Sequence, residues 1–264
     1  MVSLGFRRAS ECSLYLSKEE TMTSKSISSS TLKLIAMFAM LIDHIAWVLF
    51  PLEINMNILS DNWIANSMHM IGRLAFPVFA FCIAEGYLHS HDLKNYLKRL
   101  GMLAFISILP FSLIGWVTGI GFITQNTVFT LFLGLCALYF SDRQQKTWKK
   151  VLIVLFCFAL SVLADGGLGG GVFGIYAFAK IKNPTARRIT GFAALISIQL
   201  LLLAVNFSIS GLAEPAIAFA GFLLVTSFYN GRKGPSIGKL FYYFYPLHLL
   251  VLALLRIGYL LLTH

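Results

Sequence analysis

A few ionisable side chains fall where an otherwise apolar sequence offers them no water. Asp43 and His44 adjoin in the first apolar run, Arg73 and Glu85 lie in the second, His248 and Arg256 in the last, and Asp165 opens a glycine-rich turn. A charge in hydrocarbon costs several kcal/mol unless it is paired or hydrated, so each is read first as a functional group. An imidazole in such a place points to general acid–base chemistry near neutral pH. Neighbours on a helix point about 100° apart, so Asp43 does not readily orient His44, and the two need different partners.

Arg73 enters the second run from the same side as Asp43, and its long stem reaches the same level. An Asp43–Arg73 ion pair is therefore expected, either as part of a site or as a topology-fixing pair without chemistry. That pairing leaves His44 as the candidate general base, against the plainer reading of a hydrogen-bonded core histidine. Pro77, in Gly72–Pro77, frees a backbone carbonyl and allows a kink toward a cavity. Gln125 and Asn126 supply amide groups at the level of Arg73, to hold a substrate carbonyl or to cap a helix. Asp165 can cap the helix after it. Glu85 can snorkel, or can line a cytosolic entrance with His248. Interfacial aromatic belts account for Tyr242, Tyr243 and Tyr245 without function; they do not account for His248. His89 and His91 lack a carboxylate or thiolate at ligand spacing, and Cys12, Cys82, Cys136 and Cys157 have no CxxC spacing, so no metal or disulfide framework is expected.

Those groups need elements that carry them through lipid. The 264 residues are 58% hydrophobic and 12% charged, about half the charge of a soluble domain, so membrane is the fitting solvent. Apolar runs predict helices over 32–50, 70–88, 100–118, 126–140, 150–164, 168–180, 190–206, 211–229 and 240–261. The fifth and sixth, joined at 165–171, read as two short spans or a re-entrant pair. Of 21 Lys and Arg, all but Arg73 and Arg256 fall on one side of a nine-span arrangement. The positive-inside bias then puts the N-terminus in the cytoplasm and the C-terminus outside. The net charge of +10 is thereby a topology signal, and nucleic acid is not an expected partner.

The expectation is an all-α, polytopic integral membrane bundle of about nine transmembrane helices in a bacterial inner membrane. A flexible cytosolic tail over 1–30, with Met22 as an alternative start, precedes a single membrane domain over 31–264.

The stretches Leu32–Ala36 with Leu41–His44, Ile71–Ala80, Asn126 with Phe129–Thr130, and Tyr245–His248 together resemble the TraX proteins, whose founding member is associated with N-terminal acetylation of conjugative F-pilin. They run in the family's order, and Asp43, His44, Arg73, Asn126 and His248 match its pattern. The resemblance implies a membrane-embedded acyltransferase that takes acetyl-CoA from the cytosol, with a peptide, glycan or lipid acceptor and with membrane lipid around it. In a direct transfer, His44 deprotonates an acceptor amine or hydroxyl, Asp43 fixes Arg73, and Arg73 or Asn126 stabilises the oxyanion; in a covalent one, His44 carries the acetyl group. Gln125, Glu85, Tyr245, His248 and Asp165 complete the expected substrate surroundings. The rival is a proton-coupled small-molecule transporter, since the same intramembrane groups suit a proton relay.

Overall fold

The computed structural model describes residues 26–50, 62–119, 125–165, 170–205 and 212–263. The expected tail through residue 25, Met22 included, and the glycine-rich join at 166–169 lie outside them. The described residues form twelve helices and no named strand. They are α1 (Ser29–Leu49), α2 (Trp63–Gly72), α3 (Ala75–His89), α4 (Leu93–Ile106), α5 (Ile108–Val117), α6 (Thr127–Ser141), α7 (Thr147–Ser161), α8 (Gly171–Lys180), α9 (Pro184–Leu195), α10 (Ser197–Val205), α11 (Ala213–Ser227) and α12 (Gly238–Thr263).

Side-chain caps set several of the starts. Ser28 accepts from the amide of Thr31, Asn62 from Ile64 and Ala65, Asp92 from Asn95, and Asn183 from Thr185 and Ala186 with Pro184 in the first turn. Each satisfies amides that a helix leaves unpaired at its N-terminus. Short breaks join α2 to α3, α4 to α5 and α9 to α10, so the twelve helices group into nine rods among the described residues. Pro77 lies in the first turn of α3, where a missing amide costs little, and the break falls just before it at Arg73–Leu74.

Four rods are long and apolar enough to cross a membrane: Ser29–Leu49, Trp63–His89, Leu93–Val117 and Gly238–Thr263. A fifth, α9 with α10, qualifies if its 51° bend is counted within one span. This is the pattern of a helical membrane protein. The ten residues of α8 extend only about 15 Å, half of a bilayer core about 30 Å thick.

Successive rods alternate in direction, and their ends are tied differently. At one end the Ile27 amide donates to Phe228 O, the Tyr87 hydroxyl donates to Asp142, and Arg187 pairs with Glu85. At the other end the Gln125 amide donates to Leu163 O, and Arg73 pairs with Glu214. Nearly all of the described lysines and arginines belong to the first end. Between the two ends runs a column of packed rings, Phe192–Phe222–Phe178–Phe81–Tyr229, with centroids 5.4 to 5.6 Å apart.

The expected tail boundary at residue 30 falls within the first turn of α1. Residues 29 and 30 already belong to α1, because the backbone amides of Ser29 and Ser30 donate to the carbonyls of Arg232 and Lys233 and the Ser30 hydroxyl also reaches Lys233 O.

Candidate functional site

At the end away from the basic loops, a cavity of about 580 Å³ is bounded by α1, α2, α3, the start of α6, α9, α10 and α11 and the turn at Asp165. Asp43, His44, Arg73, Thr127, Asp165 and Glu214 all face it, among apolar walls that include Phe79, Phe192 and Leu195. Three carboxylates against one guanidinium, in a partly water-excluded space, make each local partner decisive.

Asp43 and Arg73 do not form the expected ion pair. The Asp43 Oδ1 accepts from Nδ1 of His69 at 2.9 Å, and its Oδ2 accepts from Nε1 of Trp47, one turn on, at 3.1 Å. The indole of Trp47 meets the His69 ring edge-on at 4.9 Å. Arg73 instead directs Nε to Oε1 of Glu214 on α11. The reason is local: α2 begins at Trp63, not at residue 70, and so carries His69 one turn before Arg73 onto α1. Gly72 lets the two helices touch there, because a Cβ at that position would lie 2.3 Å from Cβ of Asp43.

His44 has a separate partner. Its Nδ1 lies 3.1 Å from Nε2 of His248 on α12, and Nδ1 of His248 lies 2.8 Å from the Phe244 carbonyl. A carbonyl only accepts, so Nδ1 of His248 carries the proton and its Nε2 presents a lone pair. His44 must then donate through Nδ1, which leaves Nε2 of His44 as the basic nitrogen. Phe244 stacks on the His248 ring at 4.6 Å and Tyr245 meets it edge-on at 5.6 Å, holding its orientation. The buried Tyr245 hydroxyl lies against the first turn of α6 at Thr127 and Val128 without closing a well-formed hydrogen bond.

The Asp165 carboxylate accepts from the Thr127 hydroxyl at 2.7 Å, and the Asp165 carbonyl accepts from Thr130 at 2.7 Å. The Gln125 carbonyl accepts from the Asp165 amide at 2.7 Å, a short parallel bridge that fixes the turn beside the cavity. Gln125 therefore acts here through its backbone. Asn126 is fully buried: its Oδ1 accepts from Phe129 N at 3.2 Å and its Nδ2 donates to Ala104 O at 2.9 Å. The amide expected to reach a substrate carbonyl is thus spent on capping α6 and tying it to α4.

Glu85 stands apart, at the opposite end. Its Oε1 meets an Arg187 amino group at 2.5 Å, its Oε2 accepts from the Tyr229 hydroxyl at 2.7 Å, and the Arg187 guanidinium lies 5.0 Å from the Phe81 ring centre. Among the described residues, no hydrogen bond or ion pair joins His248 to Glu85. Arg256 lies 5.4 Å from the Tyr259 ring and outside the cavity.

Sequence reasoning missed His69, Trp47 and Glu214. The apolar run in the sequence begins at residue 70, which leaves His69 in the loop before it. The Asp43–Trp47 spacing of four and a glutamate followed by Pro215 at the head of an apolar run were the available signals.

A family model described as TraX protein matches residues 28–256. The chain is also 29% identical over 242 residues to the probable fimbrial assembly protein FimC, serogroup H1, of Dichelobacter nodosus, an alignment covering 86% of this chain and 94% of that protein. No solved structure matches.

Proposed function

The chain belongs to the TraX family, and from that premise we propose that it is a membrane-embedded acyltransferase, moving an acetyl group from acetyl-CoA to an amine or hydroxyl acceptor. The observation that carries this reading is His44, which is paired with His248 behind it and lines a cavity shared with Arg73 and Asp165. His248 fixes the tautomer of His44, so that Nε2 of His44 takes the proton of the acceptor as its nitrogen or oxygen attacks the thioester carbonyl. The C–S bond then breaks, and the departing thiolate receives that proton from His44. Arg73, held by Glu214, supplies the positive charge for the oxyanion. Asp43, held by His69 and Trp47, keeps α2 and its arginine in register with α1.

In the proposed topology the nine rods are nine crossings of a bacterial inner membrane, α8 being a short one enclosed by α3, α6, α7 and α9, with the N-terminus cytoplasmic and the C-terminus outside. The basic ends then face the cytosol and the cavity faces outward. The donor comes from the cytosolic side, so the ring column from Phe192 to Tyr229 must part to admit it. The name of the D. nodosus relative extends the reading to pilus assembly, with a pilin N-terminus among the acceptors.

A second reading, proton-coupled transport of a small molecule, draws on one observation. Charged clusters at opposite ends, Asp43–His69 and Glu85–Arg187, flank the aromatic column as two gates would. Vesicles bearing the full chain, given labelled acetyl-CoA and a panel of peptide, glycan and lipid acceptors, decide between them. Acceptor labelling above that of His44→Ala supports the enzyme; equal labelling across the panel overturns it.

A further inference from the structure

A second concavity, of about 680 Å³, lies on the outside of the bundle between α4 and α6, remote from the cavity described above. Its walls are apolar side chains, among them Leu97, Met102, Phe105, Ile106 and Phe132, and at Gly101 the helices approach so closely that a Cβ would lie 2.9 Å from the Phe132 ring. Met102, Phe105 and Ile106 are each more than half exposed.

Cations flank one end of this groove. Lys94 and Lys98, four residues apart, line it from α4. On the α6 side the Arg143 guanidinium stacks 3.3 Å from the centre of the Tyr139 ring, itself a lining residue. Among the described residues, none of the three has a carboxylate within ion-pair distance. From Lys94 to Ile106 the helix advances about 18 Å, close to the roughly 15 Å half-thickness of a bilayer core.

We propose that this groove is a binding site for an anionic phospholipid, its phosphate held between Lys94, Lys98 and Arg143 and one acyl chain laid along Gly101 to Ile106. Surrounding lipid tails are as apolar as the groove, so the chain contributes little selectivity and the headgroup charge contributes most of it. The site therefore prefers phosphatidylglycerol to phosphatidylcholine. Each lysine accounts for roughly a five-fold preference, the scale for one basic residue at an anionic surface.

Native mass spectrometry of the full chain in detergent, titrated with each of the two lipids, tests the proposal. A phosphatidylglycerol adduct at lower lipid concentration than a phosphatidylcholine adduct is expected. The advantage should fall at least five-fold in Lys94→Gln/Lys98→Gln and persist in Lys146→Gln/Lys149→Gln, which removes two charges elsewhere on the basic face. Ile106→Trp, which fills the apolar end, should weaken both adducts. All these positions face outward, and melting curves check that the variants are folded. Equal binding of the two lipids, equal losses in the two lysine pairs, or a protein dimer in place of a lipid adduct overturns it.

Discussion

Nδ1 of His44 lies 3.1 Å from Nε2 of His248 across 204 residues of sequence, and the Phe244 carbonyl behind His248 sets the direction of both protons. In the proposed chemistry His44 is the base and His248 orients it. His44→Ala should lower acetyl transfer by about 10²–10⁴-fold, the usual share of a general base, without lowering the yield of folded protein. His248→Gln, which can still present an oxygen to His44, should retain more activity than His248→Ala. Rates measured at saturating acetyl-CoA check the order: wild type, His248→Gln, His248→Ala, His44→Ala.

Arg73 and Glu214 neutralise each other across α2 and α11. Glu214→Leu alone should destabilise the protein by roughly 2 kcal/mol, less than the 3–5 of a fully buried pair because the Arg73 side chain keeps 44% of its exposure. Arg73→Met with Glu214→Leu should recover most of that loss and remain inactive. Thermal melting in detergent, read beside the transfer assay, separates the structural from the chemical part.

The contact at Gly72 leaves no room for a methyl group. Gly72→Ala would place a Cβ 2.3 Å from that of Asp43, so α1 and α2 must separate at a cost of about 1–3 kcal/mol, loosening the bond to His69. Gly258→Ala, where nothing lies within 4 Å of the added carbon, serves as the control and should be neutral or slightly stabilising. A melting-temperature loss in the first and none in the second is the expected result.

Acid should loosen the opposite end. Burial raises the Asp142 carboxyl, but hydrogen bonds from Lys180 and Tyr87 outweigh it and hold the group below the usual carboxylate range. A depressed folded value stabilises the protein above the unfolded value of about 3.9 and is lost as pH falls through the folded one. Melting temperatures from pH 6 down to pH 3 should therefore fall more steeply in wild type than in Asp142→Asn, and the variant should already be the less stable at pH 6.

Much of the helix plan was legible in the sequence, because a long apolar run has few alternatives to a helix in lipid; each of the nine expected segments overlaps one rod. The ends were less legible. Trp63–Met70 is broken by Asn66, Ser67 and His69 and lacks a clear apolar run, yet Asn62 caps it and it packs on α1, and those two turns carry His69. A helix begun at residue 70 excludes His69 and offers Asp43 Arg73 as its cation, which gives the ion pair that His69 and Glu214 replace in the structure. The His44–His248 contact was beyond local reasoning, since it depends on which of several apolar helices lie side by side. Asn126 illustrates the converse: its two competing readings, cap and ligand, were both visible, and the buried carbonyl of Ala104 that decides between them was not.

The clasp between residues 27–30 and 228–235 has a mechanical side. Helices α1 and α12 run parallel from that clasp, with Ser30 hydrogen-bonded to the strand of chain that leads into Gly238. Parallel apolar helices slide along one another at little cost, because lipid and protein surfaces are equally greasy along their length. A slip of one turn, about 5.4 Å, would carry His248 out of reach of His44. The clasp works as the zero mark of a ruler: it sets the axial phase of two helices whose paired imidazoles lie roughly 15 to 20 Å further along. Trimming or fusing the chain inside residues 26–30 should therefore disturb a site it never touches.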